Sequence, residues 1–388
     1  MSEWKEVEFS KMLVDESISY GIVQPGAHTE INSIPIIRVN NIKNGYIKID
    51  DVLKVEPSIE DKYKKTRLKG GELLITVVGS VGECAIVPDS LKGWNVARAV
   101  SVAKIKSEYD TRFIKYAFKT EDIIFQMYGN TNDTVQPTLN LSSLKTLKFN
   151  IPDFPEQTAI ASVLSSLDDK IDLLHRQNAT LEKMAETLFR QWFVEEAKEE
   201  WANRPLSSIA VFLNGLACQK FPPKNELEKL PVLKIKELSE GITDNSDFAT
   251  TDVKSEYIIM NGDVIFAWSA SLMVKIWDGQ DCILNQHLFK VTSKDYPKWF
   301  YFLWCKFHLS EFISIAASHA TTMGHIKRRD LNEAMVSVPS LVEMSEMTLI
   351  IEPLIDKLIV NNKQINLLVS YRDNLLKKLM SGDVKVAI

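Results

Sequence analysis

Residues 152–196, PDFPEQTAIASVLSSLDDKIDLLHRQNATLEKMAETLFRQWFVEE, constrain this chain more than any other stretch, because from Glu156 onward they hold neither proline nor glycine. Pro152 and Pro155 bracket the start, where a fixed φ loses no helical hydrogen bond. Behind them Ile160, Leu164, Leu167, Ile171, Leu174, Asn178, Leu181, Ala185, Leu188 and Trp192 fall alternately four and three apart. A seven-residue repeat with one polar member predicts a long helix that buries a narrow stripe against a partner helix. At 1.5 Å per residue, about forty residues make a rod of roughly 60 Å. A rod that long is a spacer.

The chain supplies its own partner for it. Residues 1–150 read as a mixed domain of short strands: IPIIRV (34–39), a hairpin signal at Asn44-Gly45, YIKI (46–49), GGELLITVVG (70–79) and SVAKI (101–105). FIKYAFKTEDIIFQMY (113–128) has helical spacing, GNTNDTVQPT (129–138) is a polar loop, and LKFNIP (147–152) is a last short strand before the rod. Residues 201–388 repeat this plan. IPIIRVNNIKNG (34–45) matches LPVLKIKELSEG (230–241), KGGELLI (69–75) matches MNGDVIF (260–266), and AVSVAKI (99–105) answers LFKVTS (288–293). FIKYAF (113–118) answers WFYFLW (299–304), and LSSLKTLKFNIP (141–152) matches RRDLNEAMVSVP (328–339) at an offset of 187. At the same offset DDK (168–170) meets IDK (355–357). Met347, Ile351, Leu354, Leu358, Asn361, Ile365, Leu368, Arg372, Leu375 and Leu379 again lie four and three apart. This is an internal duplication, and two copies are too few for a solenoid. Each rod has only a narrow stripe to bury, so one must cover the other. Antiparallel pairing would set the two domains at opposite ends, with Asn178 and Asn361 at core positions fixing the register.

Bulk properties narrow the setting. No run of eighteen apolar residues is present, so nothing is expected to span a membrane. The polar, acidic start MSEWKEVEFSK argues against secretion, and a cytoplasmic location is expected. Cys84, Cys218, Cys282 and Cys305 lack CxxC spacing and read as small buried residues. The net charge of −5 divides unevenly, since residues 151–200 hold eleven Asp and Glu against five Lys and Arg. The acid sits on the rod, so global charge neither supports nor excludes a nucleic-acid partner.

Catalytic motifs are missing from the sequence. There is no GxxxxGK[ST] loop, no HExxH and no Cys/His cluster with metal spacing. GSVG (79–82) reads as a tight turn. Phe221-Pro-Pro-Lys224 superficially resembles the Asp/Asn-Pro-Pro-aromatic motif of amino methyltransferases but lacks both its ends. Binding signals are present instead. KYKKTRLK (62–69) places Lys62, Lys64, Lys65 and Arg67 beside Tyr63, enough cations to clamp phosphates. HATTMGHIKRRD (319–330) combines Thr321, Thr322 and His325, suited to base edges, with Lys327, Arg328 and Arg329. Its counterpart in the first repeat supplies Asn130, Thr131, Asn132, Thr134, Gln136 and Thr138. Arg38, Asn40, Arg98, Lys234, Lys236, Gln286 and His287 complete the candidate DNA-binding set. Similar frames with different polar tips suit two readers of different half-sites, although ordinary polar loops would look the same.

FPEQTAIASVLSSLDDKIDLLHRQNATLEKMAETLFRQWFV (154–194) resembles the central helical region of the DNA-specificity subunits of type I restriction–modification systems. GGELLI, NGDVIF, TVQPTLNLSSL (134–144) and TTMGHIKRRDL (321–331) are similar to that family's target-recognition domains, so the resemblance covers essentially the whole chain. The second rod departs from the pattern at EMSEM (343–347) and at Arg372, which interrupts its stripe. The resemblance implies an α+β chain with two similar mixed α/β target-recognition domains, 1–151 and 199–338. They would be separated by two long antiparallel helices, 152–198 and 339–388, forming a coiled-coil spacer with a pseudo-twofold internal repeat. It implies a non-catalytic subunit that reads a bipartite target in double-stranded DNA, one half-site per domain. Two methyltransferase (modification) subunits and restriction/translocase subunits would dock on it. S-adenosylmethionine, ATP and Mg would then belong to those partners, with no cofactor in this chain. A roughly 60 Å rod spans between one and two turns of B-DNA, so domains at its ends would face one side of a duplex. Trp192 and Phe193 are the expected anchor for a modification subunit, with packing against a domain base as the alternative. The alternative for the chain as a whole is a two-domain protein-binding scaffold with a helical spacer.

Overall fold

The computed structural model describes residues 4–30, 32–129, 137–318 and 324–386. The chain folds as two compact units, Met1–Asp169 with Ser370–Ile388, and Lys170–Val369.

In the first unit an antiparallel sheet runs in the order Leu13–Tyr20, Val100–Ile105, Leu73–Thr76, Cys84–Ile86. A smaller mixed sheet places Ile34–Ile37 between Leu53–Val55, antiparallel, and Asn95–Val96, parallel. Lys5–Glu8 pairs with Lys148–Ile151, which brings the entry and exit of the domain together. The core is filled from both strands and helices: Phe149 of strand Lys148–Ile151 is fully covered together with Phe9 and Phe113 of the neighbouring helices and Phe118 at a helix C-cap. The Asn44-Gly45 hairpin forms with both residues at positive φ, 56° and 87°, as a type I′ turn requires. Its strands are only Ile42–Lys43 and Tyr46–Ile47. The helical pattern over 113–128 is broken into Thr111–Ala117 and Glu121–Gly129. At the break the Thr120 hydroxyl turns back to the Ala117 carbonyl at 2.8 Å. Glu121 and Asp122 then open a new helix whose N-terminal dipole favours their charge.

The second unit repeats the main sheets of this topology. Its four-stranded sheet runs Val211–Asn214, Leu288–Thr292, Val264–Ala267, Met273–Ile276. Its mixed sheet sets Lys229–Leu233 parallel to Cys282–Leu284, and Ala202–Pro205 closes on Met335–Val338. The duplication read from the sequence is therefore a duplication of fold. Elements differ in two places: where the first unit has its hairpin, the second has a helix, Ile235–Glu240, stopped by Gly241 at φ 90°, and Ile258–Ile259 adds a fourth strand beside Cys282–Leu284.

The long helices are Phe154–Arg190 and Leu341–Met380. Asp153 caps the first, accepting from the Glu156 N–H at 3.0 Å, and Ser340 with Glu343 forms a capping box on the second. In the first unit Ile160, Ala161 and Leu164 share a core with Leu376, Leu379 and Met380. In the second unit Ile171 and Leu174 pack with Ile365, and farther along Ala185 and Phe189 share a core with Ile351 and Ile355. Ascending positions on one helix meet descending positions on the other, so the pairing is antiparallel. Asn178 and Asn361 do meet: the Asn361 amide donates to Asn178 Oδ1 at 2.9 Å, and Asn178 donates to Asn362 at 2.6 Å. Arg372 does not leave a gap in the stripe, because it donates to the buried Asp168 at 2.9 Å. Tyr116 also donates to Asp168, at 2.6 Å.

The first long helix ends in a π-helical turn, Gln191–Glu195, and this corrects the partner-binding reading of Trp192 and Phe193. Phe193 is buried in the second unit, its ring 4.8 Å from Phe189, 5.4 Å from Trp201, 5.5 Å from Trp304 and 5.6 Å from Phe300. Trp192 lies half-buried against the same core. Truncating Phe193 to Ala is expected to cost about 3–5 kcal/mol, as other deeply packed aromatics do, and Trp192→Ala less; urea midpoints at constant m-value check this. A second expectation concerns pH. Lys198 first, then Ser340, holds the Glu343 carboxyl at about 2 instead of its ordinary 4.5. A depressed carboxyl stabilises the fold above its unfolded value and loses that contribution as pH falls through the folded one. The thermal-midpoint difference between the natural chain and Glu343→Gln is therefore expected to be constant at neutral pH and to shrink between pH 4.5 and about 2.

Candidate nucleic-acid interface

One end of each antiparallel four-stranded sheet gathers several of the described residues singled out from the sequence. In the first unit this end comprises the close of strand Leu13–Tyr20, the close of Leu73–Thr76 and the start of Val100–Ile105. Isolated bridges tie neighbouring loops to it, Ile22 to Ala97 and Val78 to Thr138. The second unit has the same two bridges, Leu216 to Asn285 and Ser269 to His325. Both depend on a glycine just before the first bridge. A Cβ on Gly21 would lie 2.0 Å from the Val96 carbonyl oxygen, and one on Gly215 would lie 2.2 Å from that of Asn285. No other residue allows that approach. A left-handed residue follows at the second bridge in both, Gly79 at φ 76° and Ala270 at φ 55°. Each donates its N–H to the facing loop, Gly79 to Pro137 at 3.0 Å and Ala270 to Gly324 at 2.8 Å. GSVG is thus a turn, with both glycines at positive φ.

This shared frame carries different side chains. The first unit presents exposed Arg98 and half-buried Thr138. At the matching places the second presents Gln286 and His325, with His287 beside them. His287 is held by Ser269 at 3.2 Å and Gln286 at 3.3 Å. Trp268 lies between the two imidazoles, with centroids 5.9 Å from His287 and 6.3 Å from His325, and stacks on Phe289 at 5.7 Å. Asn214 accepts from its indole N–H at 3.2 Å. Asn214, Trp268 and Ser269 were not foreseen, because only the folded sheet end brings them to the histidines. His287 and His325 gave the signal, and the strand-closing position of Ala267 would have pointed to the two residues after it.

The cations divide into exposed and committed ones. Lys327, Arg328 and Arg329 are exposed at the start of helix Arg328–Glu333, one residue beyond Ile326, whose N–H donates to the Trp268 carbonyl at 3.0 Å. Arg329 pairs with Glu333 at 3.2 Å on the surface, a contact of small strength. Lys62 and Lys65 are exposed on the turn Asp61–Thr66, which is bonded to Asn95, three residues before Arg98. Lys64 faces Asp61 at 3.3 Å. Arg67 is a correction: it clamps the fully buried Glu60, donating at 2.8 Å, and holds that carboxyl below the usual carboxylate range. It is a structural counter-ion. Arg38 and Lys234 occupy equivalent places, next to the loops of Ala97 and Asn285, and each is paired with an aspartate, Asp51 and Asp247. Asn40 and Lys236 are exposed nearby. Asn130, Thr131, Asn132, Thr134, Gln136, Thr321 and Thr322 lie outside the described residues.

All four cysteines are buried and unbridged, and burial pushes the Cys84 and Cys305 thiols up, away from reactivity. Among the described residues no group of three His, Cys, Asp or Glu is placed to hold a metal ion, and no helix is long and apolar enough to cross a membrane.

Comparison with known proteins agrees with this geometry. The chain is 27% identical over 344 residues to the type I restriction enzyme MjaIX specificity subunit of Methanocaldococcus jannaschii, covering 81% of this chain and 78% of that one. It is 25% identical over 207 residues to the EcoBI specificity subunit of Escherichia coli, covering 51% of this chain and 43% of that one. Its fold is similar to the crystal structure of a type I restriction–modification S subunit from M. genitalium, with a TM-score of 0.60 and 15% identity over 97% and 96% of the two chains. The family model for the type I restriction modification DNA specificity domain matches twice, over residues 21–183 and 198–369, and the chain belongs to that family.

Proposed function

We propose that this chain gives a type I restriction–modification complex its DNA sequence specificity by reading a bipartite target, one half-site with each sheet end. The observation that carries the reading is one frame with two sets of tips. The bridges, the close-approach glycines and the left-handed residues coincide, while Arg98 and Thr138 give way to Gln286, His287 and His325. Polar and aromatic groups able to meet base edges at both tips, different in the two units, fit two half-sites of different sequence. Arginine suits guanine and glutamine suits adenine in the major groove, while exposed lysines position the backbone. Methyl transfer, ATP-driven movement and cleavage belong on this reading to modification and restriction subunits, which bring S-adenosylmethionine, ATP and Mg.

A surface for such partners lies on the second long helix within the second unit. Val342, Leu349, Val360 and Leu367 are 69%, 78%, 53% and 70% exposed. Their spacings of seven and eleven residues are near whole helical turns, so they form one outer stripe. It faces away from the positions of Ile351, Leu358 and Ile365, which are buried.

Two outcomes are expected. Replacing Lys327, Arg328 and Arg329 together with Ala should weaken DNA binding by the reconstituted complex and lower its log-affinity against log-salt slope by about 2–3, read from titrations at several salt concentrations. An unchanged slope would remove these residues from the interface. Exchanging residues 201–338 for those of another such subunit should change only one half of the methylated sequence, read by methylome sequencing. If both halves change, the assignment of one half-site to each domain is wrong.

A further inference from the structure

Among the described residues the heptad positions of the seam are apolar except at two places, where Arg372 meets Asp168 and the Asn361 amide N–H meets Asn178. In the first unit Asp168 is 2% exposed and takes the Arg372 guanidinium at 2.9 Å, with Tyr116 at 2.6 Å and Lys115 at 3.6 Å. In the second unit the fully buried Asn361 donates to Asn178. The duplication gives Asp168, Arg372, Asn178 and Asn361 each an image 187 positions away. Asp168 corresponds to Ile355 and Arg372 to Ala185, both of them buried in an apolar core. Asn178 corresponds to Ile365 and Asn361 to Leu174, again both buried and apolar. In the stretch where 113–118 answers 299–304, at an offset of 186, Tyr116 and Lys115 correspond to Phe302 and Tyr301, so neither the Tyr116 hydroxyl nor the Lys115 ammonium is kept at its image.

This asymmetry matters because each long helix resembles its partner closely enough to pair with a copy of itself. Were the first helix to pair with the first helix of a second chain in the same register, Asp168 would face Ala185 and Asn178 would face Leu174. Asp168 would keep Tyr116 and Lys115 but lose the guanidinium. Were the second helix to pair with its own copy, Arg372 would face Ile355 and Asn361 would face Ile365. A buried charge or amide stripped of its partner is strongly disfavoured, while a matched one is tolerated. We propose that the Asp168–Arg372 and Asn178–Asn361 layers make the seam accept the chain's own second helix and reject the same helix of another copy. Polar core residues that fix pairing at some cost in stability are well attested in helix pairs. The inference concerns assembly of this chain and does not rest on what it reads.

Co-refolding of full-length chains tests it. Two differently tagged populations are unfolded together and refolded by dilution, and species carrying both tags are measured by sequential capture and mass. The natural chain is expected to give few. The variant Asp168→Ile/Arg372→Ala/Asn178→Ile/Asn361→Leu makes both polar layers equal to their images. It is expected to raise the doubly tagged fraction about tenfold, because self and cross pairing then differ little. A complementary pair guards against a variant that does not fold. Asp168→Arg in one chain and Arg372→Asp in the other set like charges against each other within each chain. Mixing returns the unaltered Asp168 of one to the unaltered Arg372 of the other, so doubly tagged species should predominate. Equal doubly tagged fractions for the natural and apolar chains overturn the proposal. Random assortment of the complementary pair overturns it as well.

Discussion

Neither long helix can bury its own stripe, and that shortage organises the chain. A helix with a narrow apolar face gains little by folding alone, since most helical stability in proteins comes from covering such a face. In the first unit the cover for Ile160 and Leu164 comes from Leu376 and Leu379, more than two hundred positions later in the sequence. In the second, Ile351 and Ile355 share the core that holds Ala185 and Phe189. Closing loops of that length costs entropy that rises only slowly with length, so a distant partner is affordable when its face is long. Each unit then gives its globular part a fixed base on the helices. Gln157, buried at the start of the first helix, accepts from the Asp110 N–H at 2.9 Å, and Lys306 bonds Glu182 and Glu186 on the helix beside it.

Periodicity and repetition were the legible part, because both are local or self-referential properties of the sequence. The ten heptad positions of the first helix all fall at buried or half-buried places, and Asn44-Gly45 forms its turn because two positive φ values are a local demand. The misread residues share a different cause: their roles are set by atoms far away in sequence or by a change of helical pitch. Heptad counting carries Trp192 into the seam, but the π-helical turn adds a residue to the ring, and Phe193 points into the core instead. Arg67 looked like one of a row of surface cations until the buried Glu60 gave it a fixed partner. Gly21 and Gly215 attracted no notice, since only the Val96 and Asn285 carbonyls reveal why a Cβ is excluded.

Ala270 shows how strongly the sheet end is specified. A non-glycine residue in the left-handed region costs about 1–2 kcal/mol, yet the second unit keeps it where the first uses Gly79. The bond from Ala270 N–H to the Gly324 carbonyl, with Ser269 bridged to His325, holds the loop where His325 reaches Trp268. The backbone conformation is thus retained even where the residue that adopts it most easily has been replaced. What varies between the units is the side-chain chemistry hung on that conformation.

The distribution of cations around the two sheet ends sets a limit on nonspecific grip. Arg38 and Lys234, which stand nearest the bridging loops, are each neutralised by an aspartate, and Arg67 is spent on Glu60. The exposed basic candidates that remain near the second sheet end are Lys236, Lys327, Arg328 and Arg329, and near the first Lys62, Lys64, Lys65 and Arg98, among the described residues. Each phosphate contact contributes about 0.9 to the salt slope, so a handful of cations per half-site gives only modest sequence-independent affinity. On the proposed reading, most of the discrimination falls to side chains at the sheet ends, Arg98 and Gln286 among them. It also leaves much of the total affinity to whatever else joins the complex. Sparse phosphate contact is an advantage for a subunit whose task is selection, because affinity that every sequence shares cannot distinguish one site from another.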